Sequence, residues 1–259
     1  MNIRKIINWK LYFTLLIASV LSIIAILPYI TYIQAEALKN VPIPLPLVLL
    51  LSVIQSTVLF AILIFIGLKL SSKLGLNVPI IEDYIAKKRI NVDIKKIIKL
   101  SVLLGILSGI AIILFDFLFT KLGISLMDQV HAPIWSGFLA SFYGGISEEI
   151  IMRLFFMTFI ILLVSKITRT KGKAIENNLL MWTSIIIAAI IFGLGHLPVT
   201  SALTTITPLV IARAIILNGI GGVVFGWLYW KKGLESAMIA HFSADIMLHV
   251  LLPFIILYK

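Results

Sequence analysis

The chain has 259 residues, 61% of them hydrophobic and only 13% charged, where a soluble globular domain is closer to a quarter charged. The apolar residues arrive in long blocks and not at amphipathic spacing, which excludes an ordinary soluble domain and implies a polytopic membrane protein. The formal net charge of +11 is no argument for a nucleic-acid partner, because the lysines flank the apolar blocks, and the absence of cysteine excludes disulfides, thiolate metal sites and a cysteine nucleophile.

In chain order the first block is "MNIRKIINWKLYFTLLIASVLSIIAILPYI". A basic start before an apolar run also describes a signal peptide. This run is about 20 residues and lacks a small-x-small cleavage site, so a retained span is expected. Seven spans are predicted in all, at about 11–30, 46–68, 98–120, 134–165, 179–196, 208–230 and 234–257. The expected fold class is therefore all-α, a polytopic membrane helical bundle with a polar cavity between the C-terminal spans. The fourth span is long enough to reach ~48 Å as a helix, so it must tilt, project or break, and "GG" at 144–145 is the natural weak point.

Between the second and third spans lies the largest polar stretch, "SSKLGLNVPIIEDYIAKKRINVDIKKI" at 71–97. Its isoleucines interleave with lysines, which fits either a helix lying on an anionic leaflet or a solvated loop. Lysine and arginine placement orients the bundle: 17 of the 22 fall on the side of the N-terminus, three (Lys39, Lys121 and Lys259) on the other, and Arg153 and Arg213 within spans. By the positive-inside bias the N-terminus is cytoplasmic. Trp9, Trp135, Trp182, Trp227 and Trp230 sit near span ends, as an aromatic belt would.

Ionisable residues inside spans are costly and face a protein interior or a wet cavity. They are Asp116, Glu148, Glu149, Arg153, His196, Arg213, His241, Asp245 and His249. In "SEEIIMR", read as α-helix, Glu149 and Arg153 are i and i+4 and pair, while Glu148 is turned about 100° away without a local partner. An unpaired carboxylate in low dielectric suits proton exchange; a polar knot locking helices together is the alternative. "FGLGH" places Phe192 and His196 one turn apart, and "HFSADIMLH" does the same for His241 and Asp245, with His249 a further turn along. A histidine and a carboxyl group on one face can orient each other or present donors to a reacting oxygen, or can simply hold two helices together. Asp116 and Arg213 suit a transporter or a mutual pair. No "HExxH", "GxSxG" or "GxGD" is present, so glutamate and histidine on three spans are what remains for chemistry.

"EEIIMR" (Glu148 to Arg153), "FGLGH" (Phe192 to His196) and "HFSAD" (His241 to Asp245) together resemble the EExxxR, FxxxH and HxxxN/D motifs of the CAAX protease and bacteriocin-processing (CPBP or Abi) family, to which the Ras-converting CAAX prenyl endopeptidase is related. Order and internal spacing match, over roughly 134–250. The resemblance implies two parts: 1–130, holding N-terminal transmembrane helices and the cytosolic polar segment, and 131–259, a catalytic membrane core. It implies that Glu148 activates the attacking water aided by His196, that His241 and residue 245 form the oxyanion site, and that Glu149, Arg153 and Phe192 are structural support. One departure is Asp245, where the CAAX endopeptidases resemble the pattern with asparagine: an asparagine amide donates to an oxyanion, a carboxyl only when protonated.

No metal or other cofactor is expected, although Glu148, His196 and His241 would make a His-His-Glu zinc set without the paired histidines of a zincin helix. By residue count along the spans, Glu148 lies ~10 Å from the inner face and His241 ~11–15 Å, but His196 ~21 Å, too deep to join them. The expected function is that of a multi-pass intramembrane endopeptidase, in the plasma membrane if the source is prokaryotic, with a membrane-bound or lipidated peptide or protein, CAAX-type prenylated ones among the candidates, as substrate. The alternatives are a non-catalytic scaffold or bacteriocin self-immunity protein with the same fold, and a transporter.

Overall fold

The computed structural model of the protein describes residues 7–124, 132–170 and 172–257; Arg4, Lys5, Lys171 and Lys259 of the charge bias lie outside the described residues. Among the described residues the regular structure is helical and includes no strand. In chain order the helices are α1 (Trp9–Ile33), α2 (Ala35–Lys39), α3 (Leu45–Leu74), α4 (Pro79–Ile85), α5 (Ile94–Lys121), α6 (Ile134–Ile167), α7 (Asn178–Gly195), α8 (Leu197–Ser201), α9 (Pro208–Lys232) and α10 (Leu234–Ile256). Seven segments among the described residues are long and apolar enough to cross a membrane: α1, α3, α5, α6, α7 with α8, α9 and α10. The protein is a polytopic helical membrane bundle, as its composition implies.

Local chemistry sets the helix ends. Asn8, Asp93 and Thr207 cap α1, α5 and α9 by accepting the backbone N–H three residues on. Gly75, left-handed at φ 76°, ends α3. Helices α3 and α5 extend beyond the predicted limits at their lysine-bearing ends, Leu74 and Ile94. Polar side chains there favour interface and water, and long lysine stems let the helix project without burying charge. The outer rows of α1 (Phe13, Ile17, Leu21, Ile24) and α3 (Leu51, Ile54, Val58, Ile62) are large, apolar and exposed, the pattern of a lipid-facing surface.

The main core draws on both ends of the chain. Leu11 and Leu15 of α1, with Phe60 and Ile64 of α3, pack in one cluster with Ile150, Leu154 and Met157 of α6 and with residues of α7, α9 and α10. Helix α10 lies directly on α5. A Cβ at Gly105 would meet the Ala240 carbonyl and Ser243, and one at Gly109 would meet Met247, so the two glycines set the approach of α10.

Two expectations change. The 71–97 stretch is neither one surface helix nor a loop: Gly75 stops α3, Pro79 opens the seven-residue α4, and Asp93 starts α5. Helix α4 is moored by the buried Glu235 at the head of α10, whose Oε1 accepts the N–H groups of Ile80 and Ile81, both at 2.9 Å. The "GG" at 144–145 is not a break either; α6 runs through it by widening to a π-helix over Tyr143–Glu148 and again over Ile150–Met157.

Candidate active site

The wide stretch of α6 carries the paired glutamates. Its i→i+5 register is marked by Thr158, whose hydroxyl donates to the Arg153 carbonyl at 2.9 Å. Gly144, on the preceding turn, faces α10: an added Cβ would collide with the Asp245 carboxylate and lie 3.1 Å from His241 Nε2. Glycine there admits the last motif to the first. The role of "GG" is close approach, not a hinge.

His241 is the hub. Its Nδ1 lies 2.7 Å from Glu149 Oε1, a bond across 92 residues in which the ring nitrogen donates to the carboxylate. Its Nε2 points between Glu148 Oε2 at 3.7 Å and Asp245 Oδ1 at 3.6 Å. The ring stacks on Phe225, centroids 4.7 Å apart, and meets the edge of Phe192 at 5.8 Å. The two carboxylates of "EE" therefore differ in kind: the Glu149 side chain is wholly buried, whereas that of Glu148 keeps 24% of its surface and remains open to a reactant.

Glu149 and Arg153 form the expected pair, Nε to Oε2 at 3.1 Å. The contact is a charge pair and not a well-aligned hydrogen bond, since Glu149 Oε2 and Arg153 Nη1 are both buried without a hydrogen-bond partner. Arg153 also donates from Nη2 to the Gly222 carbonyl at 3.3 Å and lies over the rings of Phe192 and Phe225. Glu149 thus does more than neutralise Arg153. It joins that cation on its own helix to His241 on another.

His196 sits just beyond the end of α7. Its Nδ1 donates to the Phe192 carbonyl at 2.8 Å, which commits that nitrogen and leaves Nε2 as the ring atom available to a reactant. Phe192 is edge-on to both histidines, at 4.8 Å from His196 and 5.8 Å from His241. Among the described residues no hydrogen bond or ion pair joins His196 to Glu148, His241 or Asp245, so the structure brings those three together and leaves His196 a ring away. Glu148 and His241, expected at similar depth, lie 3.7 Å apart. Among the described residues no three His, Asp or Glu side chains are placed to share a metal ion. The set Glu148, His196 and His241 does not fit zinc in this arrangement.

Other contributors escaped the motif reading. Ser22 of α1 shares a 2.7 Å hydrogen bond with Ser147, the residue before Glu148, both buried. Tyr29 of α1 hydrogen-bonds His249 Nδ1 at 3.3 Å. Small hydroxyls within an apolar span, and a tyrosine one turn from its end, were the available signals, but neither names a partner. Asp116 and Arg213 do pair, Oδ1 to Nε at 2.7 Å, joining α5 to α9.

No curated protein and no solved structure matches the chain. Residues 130–247 match the family described as Type II CAAX prenyl endopeptidase Rce1-like. That segment contains all three motifs and every residue whose side chain converges on His241, so the site lies within an Rce1-like domain.

Proposed function

We propose that the protein is an intramembrane endopeptidase that hydrolyses a peptide bond in a membrane-bound or lipidated protein, of the prenylated CAAX type, with Glu148 as the base that activates water. The observation that carries the reading is the setting of His241: Nδ1 held by the buried Glu149, Nε2 aimed between Glu148 and Asp245.

A water beside Glu148 gives its proton to the partly exposed carboxylate as its oxygen attacks the scissile carbonyl carbon. With Nδ1–H committed to Glu149, His241 donates from Nε2 only as imidazolium. In that form it offers one hydrogen bond to the developing oxyanion. Asp245 supplies a second donor when protonated, as its carboxyl must be to do so. Collapse of the tetrahedral intermediate returns the proton from Glu148 to the leaving amine. His196, with Nε2 free to accept, holds the second hydrogen of the water from the Phe192 side. Phe192, Phe225 and Arg153 keep the His241 ring and Glu149 in register. No metal is needed for any step.

The same reading places the N-terminus in the cytoplasm, with the plasma membrane as the host bilayer if the source is prokaryotic. The 17-to-3 bias of basic residues supports it, as does the gathering of the starts of α1 and α5 with the ends of α3 and α9 around two adjacent cavities at one end of the bundle.

The test uses the full chain reconstituted in lipid, with prenylated peptides and their unmodified counterparts. Glu148→Gln should leave folding intact and lower turnover at least about 10²-fold, as loss of a general base does. A chelator should leave wild-type turnover unchanged. Retained turnover in Glu148→Gln removes the mechanism, and chelator inactivation rescued by zinc replaces it with a metal-assisted one.

A further inference from the structure

A cavity of about 350 Å³, lined by none of Glu148, Glu149, His196, His241 and Asp245, lies where α3 ends, α5 begins and the chain turns from α9 into α10. Its size is that of a small-ligand site. Lys96, Lys231 and Lys232 line it, and the one carboxylate among its lining residues, Asp93, is engaged through Oδ1 in capping α5 by accepting the Lys96 N–H at 3.0 Å. Among the described residues no carboxylate forms an ion pair with any of these three lysines. Three positive charges therefore line one cavity against a single carboxylate, Asp93, with which none of them is paired. Trp230 forms a fixed edge: its indole donates to the Ile175 carbonyl at 3.0 Å, and Lys231 Nζ rests 3.3 Å from its ring centroid. Ile97 and Leu100 of α5 give the lining an apolar part. One turn further along α5, Leu103 and Leu107 are exposed, as on a surface open to acyl chains.

We infer that this cavity binds a phosphate ester, with Lys96, Lys231 and Lys232 supplying the charge and Trp230 the edge. The apolar part of the lining, leading on to Leu103, selects an ester carried by an anionic phospholipid over a soluble one. A basic pocket between spanning helices at a membrane face, with a tryptophan at headgroup level, has the chemistry such a headgroup needs. The site is separate from the carboxylate–histidine cluster and does not depend on the chemistry proposed there.

Native mass spectrometry of the full chain, released from detergent with phosphatidylglycerol, phosphatidylcholine or glycerol phosphate, tests it. Wild type should retain phosphatidylglycerol in preference to phosphatidylcholine. The Lys96→Gln/Lys231→Gln/Lys232→Gln variant should bind it at least about tenfold more weakly. A control with Lys87, Lys88 and Lys95 changed to Gln, basic residues that do not line the cavity, should bind as wild type. Leu100→Trp fills the cavity without altering charge and should also lose the lipid, which guards against a folding defect in the lysine variant. Equal loss in the control, unchanged binding in both cavity variants, or no preference over phosphatidylcholine overturns the inference. Retention of glycerol phosphate without phosphatidylglycerol overturns its lipid assignment.

Discussion

Glu149→Gln tests the centre of the site. The carboxylate serves two cationic or donor groups, Arg153 Nε at 3.1 Å and His241 Nδ1 at 2.7 Å. An amide keeps the shape but has one oxygen, so its NH2 must face one of those donors. Arg153 is then buried without its counter-charge, which costs about 3–5 kcal/mol for a pair of this kind. The Gly222 carbonyl and the faces of Phe192 and Phe225 still stabilise the guanidinium, so the lower end, about 3 kcal/mol, is expected. For a chain of this size that is a fall in Tm of about 6–12 °C. Arg153→Met should fall similarly. Replacing both residues by Met removes the charge and its partner together and should recover most of the Tm, but not turnover, because His241 loses the group that orients it. Differential scanning fluorimetry in detergent and the peptide-cleavage assay measure both quantities. An unchanged Tm in both single variants, or a double variant as unstable as the sum of the two, refutes the pairing; full turnover in the double variant refutes the orienting role of Glu149.

Three further outcomes are expected. Because the chain has no cysteine, single cysteines at Asn40 and Lys88 can be labelled cleanly, and an impermeant thiol reagent should reach them from opposite sides of the membrane; labelling of both from one side overturns the orientation. Gly105→Leu should push α10 off α5, where the Ala240 carbonyl and Ser243 already occupy the space, and lower stability by about 1–3 kcal/mol with loss of turnover. Gly219→Ala, at a helical site with nothing within 4 Å, should instead leave turnover unchanged and raise stability by about 0.5–1 kcal/mol. In the Asp116–Arg213 pair, Asp116→Asn alone should destabilise and Asp116→Leu/Arg213→Met should not, since only the single change strands a largely buried charge; equal Tm loss in both removes the ion pair as a stabilising element.

The amino-acid sequence alone determined the spans and the three motifs. Bilayer thickness imposes one length on every crossing helix, so seven apolar blocks are legible without any knowledge of what they touch. Charges inside those blocks stand out because so few are tolerated, and the i,i+4 rule sufficed for the pair Glu149 and Arg153, four residues apart. Contacts across the bundle were not legible. Sequence spacing showed that His241 and Asp245 share a face, but not that Nδ1 of the first would reach Glu149, 92 residues away. Helical periodicity describes an α-helix, and α6 departs from it at Tyr143, where the wider turn alters which residues share a face. Gly144 reads as a weak point until α10 is seen lying against it. Ser22 and Tyr29 lie outside the family match, yet they touch Ser147 and His249. In lipid, apolar helices gain nothing by hydrophobic exclusion from one another. Small residues and polar contacts between helices choose the partners, and those choices belong to pairs of helices, not to any one stretch of chain.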